Sequence, residues 1–145
     1  MNFESNMWQT WLFLTLTALC WGIAPILEKY GLKDTDEFAA VAVRSFAIFF
    51  VLLAIFVFTG KMQTIFTFPL KKIIIFSLSG LLAGLLGMWT YFKALKMSPS
   101  SKIVPLVATY PLITVILSVF LLKEEVSWQR ILGTILIILG VLLVK

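Results

Sequence analysis

Apolar residues run along this chain in five long, nearly unbroken stretches, and polar residues gather in the gaps between them. The stretches lie at about Gln9 to Lys29, Phe38 to Thr59, Ile73 to Leu95, Ser101 to Leu122 and Trp128 to Val144. A helix needs ~20 mostly apolar residues to cross ~30 Å of hydrocarbon, and each window meets or approaches that length, the last being the shortest. Alternation of apolar and polar positions, the mark of a membrane β-barrel strand, is missing, since the runs are continuous in Leu, Ile, Val, Phe and Ala. The pattern predicts an all-α membrane protein of five transmembrane helices, at about 9–29, 38–59, 73–95, 101–122 and 128–144. Gaps such as Gly31 to Glu37 and Lys96 to Ser100 are short, which predicts one domain over residues 1–145.

Composition agrees. Apolar residues make up 61% of the 145 and charged residues 13%, too little polar surface to cover a water-soluble globule. The first run has no Lys or Arg before it and is longer than the apolar part of a signal peptide, so it is read as a permanent helix. Although the net charge is +5, the basic residues stand singly or in pairs at helix ends rather than in one patch. That distribution fits membrane anchoring and gives no nucleic-acid footprint. Cys20 is the single cysteine and there is no His, so neither a disulfide framework, a metal site nor a catalytic triad is expected. No enzyme activity and no cofactor are expected.

The placement of charge changes the picture more than its amount. With alternating helices, one membrane side holds Lys61, Lys71, Lys72, Lys123 and Arg130. The other holds Lys29, Lys33, Lys93, Lys96, Lys102 and Lys145, while Arg44 lies inside the second helix. Orientation is normally set by a Lys/Arg excess in cytoplasmic loops, and five against six is a weak instruction. Insertion in both orientations follows, unless a small bias or an assembly factor selects one. An odd number of helices puts the termini on opposite sides, so two oppositely inserted copies form an inverted-repeat pair, an arrangement transporters use to place a midplane site.

Several residues are candidates for such a site. Trp21 lies near the centre of the first span, and Tyr110 and Pro111 near that of the fourth. Tyr110, Thr114 and Ser118 follow at intervals of four, one polar stripe that either lines a path or bonds to neighbouring helices and its own carbonyls. Pro25, Pro105 and Pro111 remove backbone donors and are expected to bend the first and fourth helices. Gly80, Gly84 and Gly87 form a small-residue stripe for close helix approach, and Trp89 beyond them belongs to the interfacial belt or the mouth of the path. Gly133 and Gly140, seven apart, share one face of the fifth helix and are read as the dimer interface. Glu28 and Arg44 enter the spans on the same side and form either a charge pair or a coupling site. Lys29 and Lys102 add positive potential at that end.

Ordered short motifs carry a resemblance. They read Tyr91-Phe-Lys-Ala-Leu95, Ser98-Pro-Ser-Ser-Lys-Ile-Val-Pro105, Tyr110-Pro111-Leu-Ile-Thr114, Leu122-Lys-Glu-Glu125, Gln129 and Gly133 to Gly140, with Leu19-Cys-Trp-Gly22 and Lys29 in the first helix. Together they resemble the EamA-like branch of the drug/metabolite transporter superfamily over the whole chain. The resemblance implies a ten-helix assembly of two inverted five-helix repeats, here an antiparallel homodimer, and transport of small metabolites such as amino acids, amines or nucleotide-linked sugars. In the related small multidrug resistance family a membrane-embedded Glu of the first helix binds protons and cationic drugs. Trp21 stands at that place here, so that mechanism lacks its carboxylate.

The expectation is a secondary transporter or exporter of a small organic metabolite, working by alternating access in the lipid bilayer of a prokaryotic cell (inner) membrane. The other reading is a non-transporting membrane subunit that assembles with or regulates another membrane protein; its case is weakened by connections of at most about a dozen residues. The charge balance is open to a direct test. Reporters active only in the cytoplasm or only outside, fused to the C-terminus, are expected to give signal from both, and strong signal from one alone removes dual insertion.

Overall fold

The computed structural model describes residues 3–144, so Lys145 of the charge comparison lies outside the described residues. All regular structure among the described residues is helical. In chain order there are α1 (Phe3–Gly31), α2 (Glu37–Phe58), a short α3 (Met62–Phe66), α4 (Leu70–Ser79), a π-helical segment (Gly80–Gly87) and α5 (Met88–Met97). Then come α6 (Ser100–Val107), α7 (Tyr110–Leu117), a π-helical turn (Ser118–Leu122) and α8 (Trp128–Leu142).

Four stretches, Met7–Gly31, Glu37–Phe58, Leu70–Met97 and Ser100–Leu122, are long and apolar enough to cross a membrane. The fifth expected span is a shorter apolar helix, α8, whose 15 residues rise about 22 Å, less than the ~30 Å of hydrocarbon. Its late start has a local cause. Lys123 adopts a left-handed conformation at φ 54°, closing the preceding turn, and regular helix resumes only where the Ser127 hydroxyl accepts from the Arg130 amide at 3.4 Å. The chain divides at the Met97–Ser98 junction into two compact units.

In the first unit α5 packs on both α1 and α2, and the π-helical segment also meets α2. The α1–α2 connection is short because Asp34 takes a left-handed turn at φ 57° and Asp36 caps α2, its carboxylate accepting from the Ala39 amide at 2.8 Å. At the far end α2 stops in a Schellman motif. Gly60 adopts φ 66°, its amide bonding to the Val57 carbonyl at 3.2 Å and that of Lys61 to the Phe56 carbonyl at 3.1 Å. Pro25 sits within the unbroken α1. The buried residues Pro25, Leu32, Val41, Phe92 and Leu95 belong to the end of the unit where α1 and α5 finish and α2 begins. Most other apolar side chains are exposed, which in a bilayer carries no penalty, because lipid tails are as apolar as leucine.

In the second unit α6 and α7 both pack on α8. The expected fourth span is interrupted at Ala108 and Thr109, where the Thr109 amide reaches back only three residues, to the Leu106 carbonyl at 3.4 Å. Pro111 has no N–H to offer the preceding turn, so the ladder is broken just ahead of it. The Thr109 hydroxyl, 2.9 Å from the same Leu106 carbonyl, supplies a further donor at the break.

Candidate functional site

Three helix ends meet in the first unit, and their charges have the signs that helix dipoles demand. Lys29 lies in the last turn of α1 and Lys96 in the last turn of α5, where carbonyls point outward, while Glu37 lies in the first turn of α2, where amides do. The Lys29 ammonium donates to the Leu95 carbonyl, tying α1 to α5. The Lys96 ammonium donates to the Thr35 carbonyl at 2.9 Å and stands 2.9 Å from a Glu37 oxygen, tying α5 to the start of α2. Deeper along α1 and α2, Arg44 Nε is 3.9 Å from Glu28 Oε1. That separation exceeds a hydrogen bond, so the pair is Coulombic. Glu28 is the less exposed partner, its side chain 14% accessible against 42% for Arg44.

Aromatic contacts reinforce this end. Trp89 on α5 lies 4.9 Å from Phe38 on α2, ring centre to ring centre, and Lys93, one turn further along α5, places its ammonium 4.2 Å from the Trp89 ring centre. The indole expected at a path mouth is therefore engaged in α2–α5 contact. A cavity of about 310 Å³ opens beside these ties, lined by Lys29, Leu32, Lys33, Asp34 and Lys96. Asp34 shares this lining with the three lysines, Lys29 and Lys96 sit at the negative ends of α1 and α5, and Glu37 pairs with Lys96, so it is not a strongly cationic site.

The other expected site residues take no part in these contacts. Trp21 is 65% exposed on α1. In the second unit Tyr110 is 50% exposed at the start of α7, and the stripe below it bonds to its own helix, Thr114 to the Tyr110 carbonyl at 3.4 Å and Ser118 to the Val115 carbonyl at 3.0 Å. Gly133 and Gly140 on α8 have nothing within 4 Å of where a Cβ would stand, so there is open space at these two positions. Glu28 and Arg44 are the expected residues the fold brings together. The Lys96–Glu37 and Lys29–Leu95 ties were not anticipated. Their separation in sequence hides them, although the i,i+4 spacing of Trp89 and Lys93 on one helix was a readable signal.

Comparison with known proteins bears on what this arrangement serves. The EamA-like transporter family matches residues 8–145. The chain belongs to that family. An uncharacterized transporter of Archaeoglobus fulgidus is 29% identical over 136 residues, covering 92% of this chain and 47% of its own length. A second from that organism is 30% identical over 139 residues, again with 47% of its length covered. An uncharacterized transporter of a Sinorhizobium species is 29% identical over 140 residues, covering 96% of each chain. The chain thus spans about half the length of the Archaeoglobus relatives it matches and nearly all of the Sinorhizobium one. No solved structure matches it.

The Glu28–Arg44 geometry yields a double-mutant test. Removing one charge strands the other where water is scarce, so Glu28→Gln and Arg44→Gln are each expected to lose about 1 kcal/mol of stability, and the double variant less than the sum. Thermal unfolding in detergent measures the coupling. Additive losses would mean that the two act independently.

Proposed function

We propose that the protein is a membrane transporter for a small organic metabolite, built as an antiparallel homodimer that alternates access to a midplane path. The observation that carries this reading is size. The same stretch of family sequence occupies 47% of two relatives named as transporters and 96% of a third, as a repeat does when it is fused in some proteins and separate in others. Two copies of a five-helix half restore the larger assembly, and the near-equal basic residues on the two sides allow the copies to insert oppositely. Archaeal and bacterial relatives favour a prokaryotic cell membrane.

The path in this reading is walled by Trp21, Tyr110 and Thr114, with Trp89 toward its mouth. Aromatic walls with a few polar groups are what small-molecule sites usually present. The exposure of Trp21 and Tyr110 in a single chain suits residues that face a cavity completed by a second copy. The Gly133–Gly140 face of α8 is the proposed seam, since glycines let backbones approach closely. Glu28 is the carboxylate available for coupling to protons.

The test is a thermal-shift screen of the purified protein against amino acids, amines and nucleotide-linked sugars. At least one compound is expected to stabilise the wild type, and Trp21→Ala or Tyr110→Ala to abolish that shift while folding normally. Normal shifts in both variants place the path on other helices. In the same preparations Gly133→Leu and Gly140→Leu are expected to lower cross-linked dimer several-fold with insertion intact. An unchanged dimer in both moves the seam elsewhere.

A further inference from the structure

The third span is two unlike halves joined by a rare geometry. Its second half, α5, is held from several directions by the Lys29 and Lys96 ties and the Trp89–Phe38 contact. Its first half, α4, is exposed at every residue from Leu70 to Ser79, and its main contacts run to the π-helical segment that follows it. Gly80–Gly87 remains π-helical for eight residues, where such geometry is usually confined to a single turn and recurs at functional sites. The other π-helical turn, Ser118–Leu122, has an ordinary cause, because it finishes a helix against the left-handed Lys123 and the Glu124 amide bonds back to the Ser118 carbonyl at 3.2 Å. No helix end explains the one in mid-span.

Gly87 shows what keeps that register. A Cβ at this position would stand 3.1 Å from the Leu82 carbonyl oxygen, tighter than ordinary van der Waals contact. Leu82 is five residues back, the acceptor that a π ladder presents, whereas an α ladder presents the carbonyl four residues back, that of Ala83. A side chain at 87 therefore crowds the π-helical geometry seen here, whereas an α-helix accommodates alanine throughout its interior. At Gly80 and Gly84 a Cβ would meet nothing within 4 Å.

We propose that Gly80–Gly87 is a joint that exchanges between π and α registers and so swings α4 relative to the clamped α5. Changing the ladder from five to four residues turns everything on the α4 side about the helix axis, while α5 is fixed by its ties to α1 and α2. The joint stands on geometry alone; its use for alternating access rests on the transport reading above.

Spin-label distances in lipid nanodiscs test it, using Cys20→Ser protein diluted with unlabelled chains. Tyr30→Cys with Lys72→Cys reports α4 against the clamped end, and Tyr30→Cys with Phe58→Cys reports the length of α2. The first pair is expected to show two populations and the second pair one. Gly87→Ala should shift the two-population ratio by about fivefold or more, and Gly84→Ala by less than about twofold. One population for the first pair, unchanged by Gly87→Ala, overturns the proposal. So does an equal shift in Gly84→Ala, which would assign the effect to helix propensity. Should Gly87→Ala fail to accumulate, hydrogen exchange of the wild type decides. Amides of 80–87 are expected to exchange at least about tenfold faster than those of α5, and equal protection overturns the joint. None of these readouts involves a substrate, so failure of the transport reading leaves them intact.

Discussion

The ammonium of Lys96 carries much of the architecture of the first unit, because in a bilayer the force that normally gathers helices is absent. Leucine against leucine and leucine against lipid are nearly equivalent, so association depends on close van der Waals contact and on polar groups with nowhere else to go. Lys96 stands 2.9 Å from both the Thr35 carbonyl and a Glu37 oxygen, and Lys29 donates to the Leu95 carbonyl close by. Each bond supplies a donor to carbonyls that the end of a helix or a turn leaves unpaired, and each charge sits at the dipole end that favours it. Leu32, Val41, Phe92 and Leu95 are buried at this same end, where those ties hold the helices together.

Rigidity is thereby distributed unevenly. The closed end of the unit is tied through charge, hydrogen bond and aromatic contact, whereas α4 projects from a π-helical segment with little of its own surface covered. In the proposed alternating-access cycle, the tied end would keep the subunit's shape while α4 changes its position. In the proposed homodimer the exposed Trp21 would face the path, and the open positions Gly133 and Gly140 would lie at the seam.

The span boundaries expected from hydropathy fall within about three residues of the four stretches long and apolar enough to cross a membrane. The physical reason is that hydrocarbon imposes a length and admits only internally bonded backbone. The interruption before Pro111 follows from the chemistry of proline, which the sequence displays openly. Pro25 carries the same chemistry, yet α1 continues through it, because a proline removes one bond and the neighbouring turns decide whether the helix stops. The shortness of α8 turned on Lys123 adopting a left-handed conformation, which is uncommon for a lysine and has no sequence signature. The eight-residue π segment was equally illegible, since Gly80, Gly84 and Gly87 read as a stripe for helix contact in an α-helix.

Sequence by itself determined class, element type and approximate span positions, all consequences of local composition meeting the bilayer. It also placed Glu28 and Arg44 on one side, because both lie near the ends of their runs. Only the tertiary structure decided which cation answers which acceptor. Lys96 pairs with Glu37 rather than with a neighbour in its own helix, Lys29 turns to a backbone carbonyl, and Trp89 rests on Phe38. Those choices depend on how α5 lies against α1 and α2 to within an ångström or two. A hydropathy pattern fixes how far along a helix a residue lies, but it leaves free the rotation and register that bring two side chains face to face.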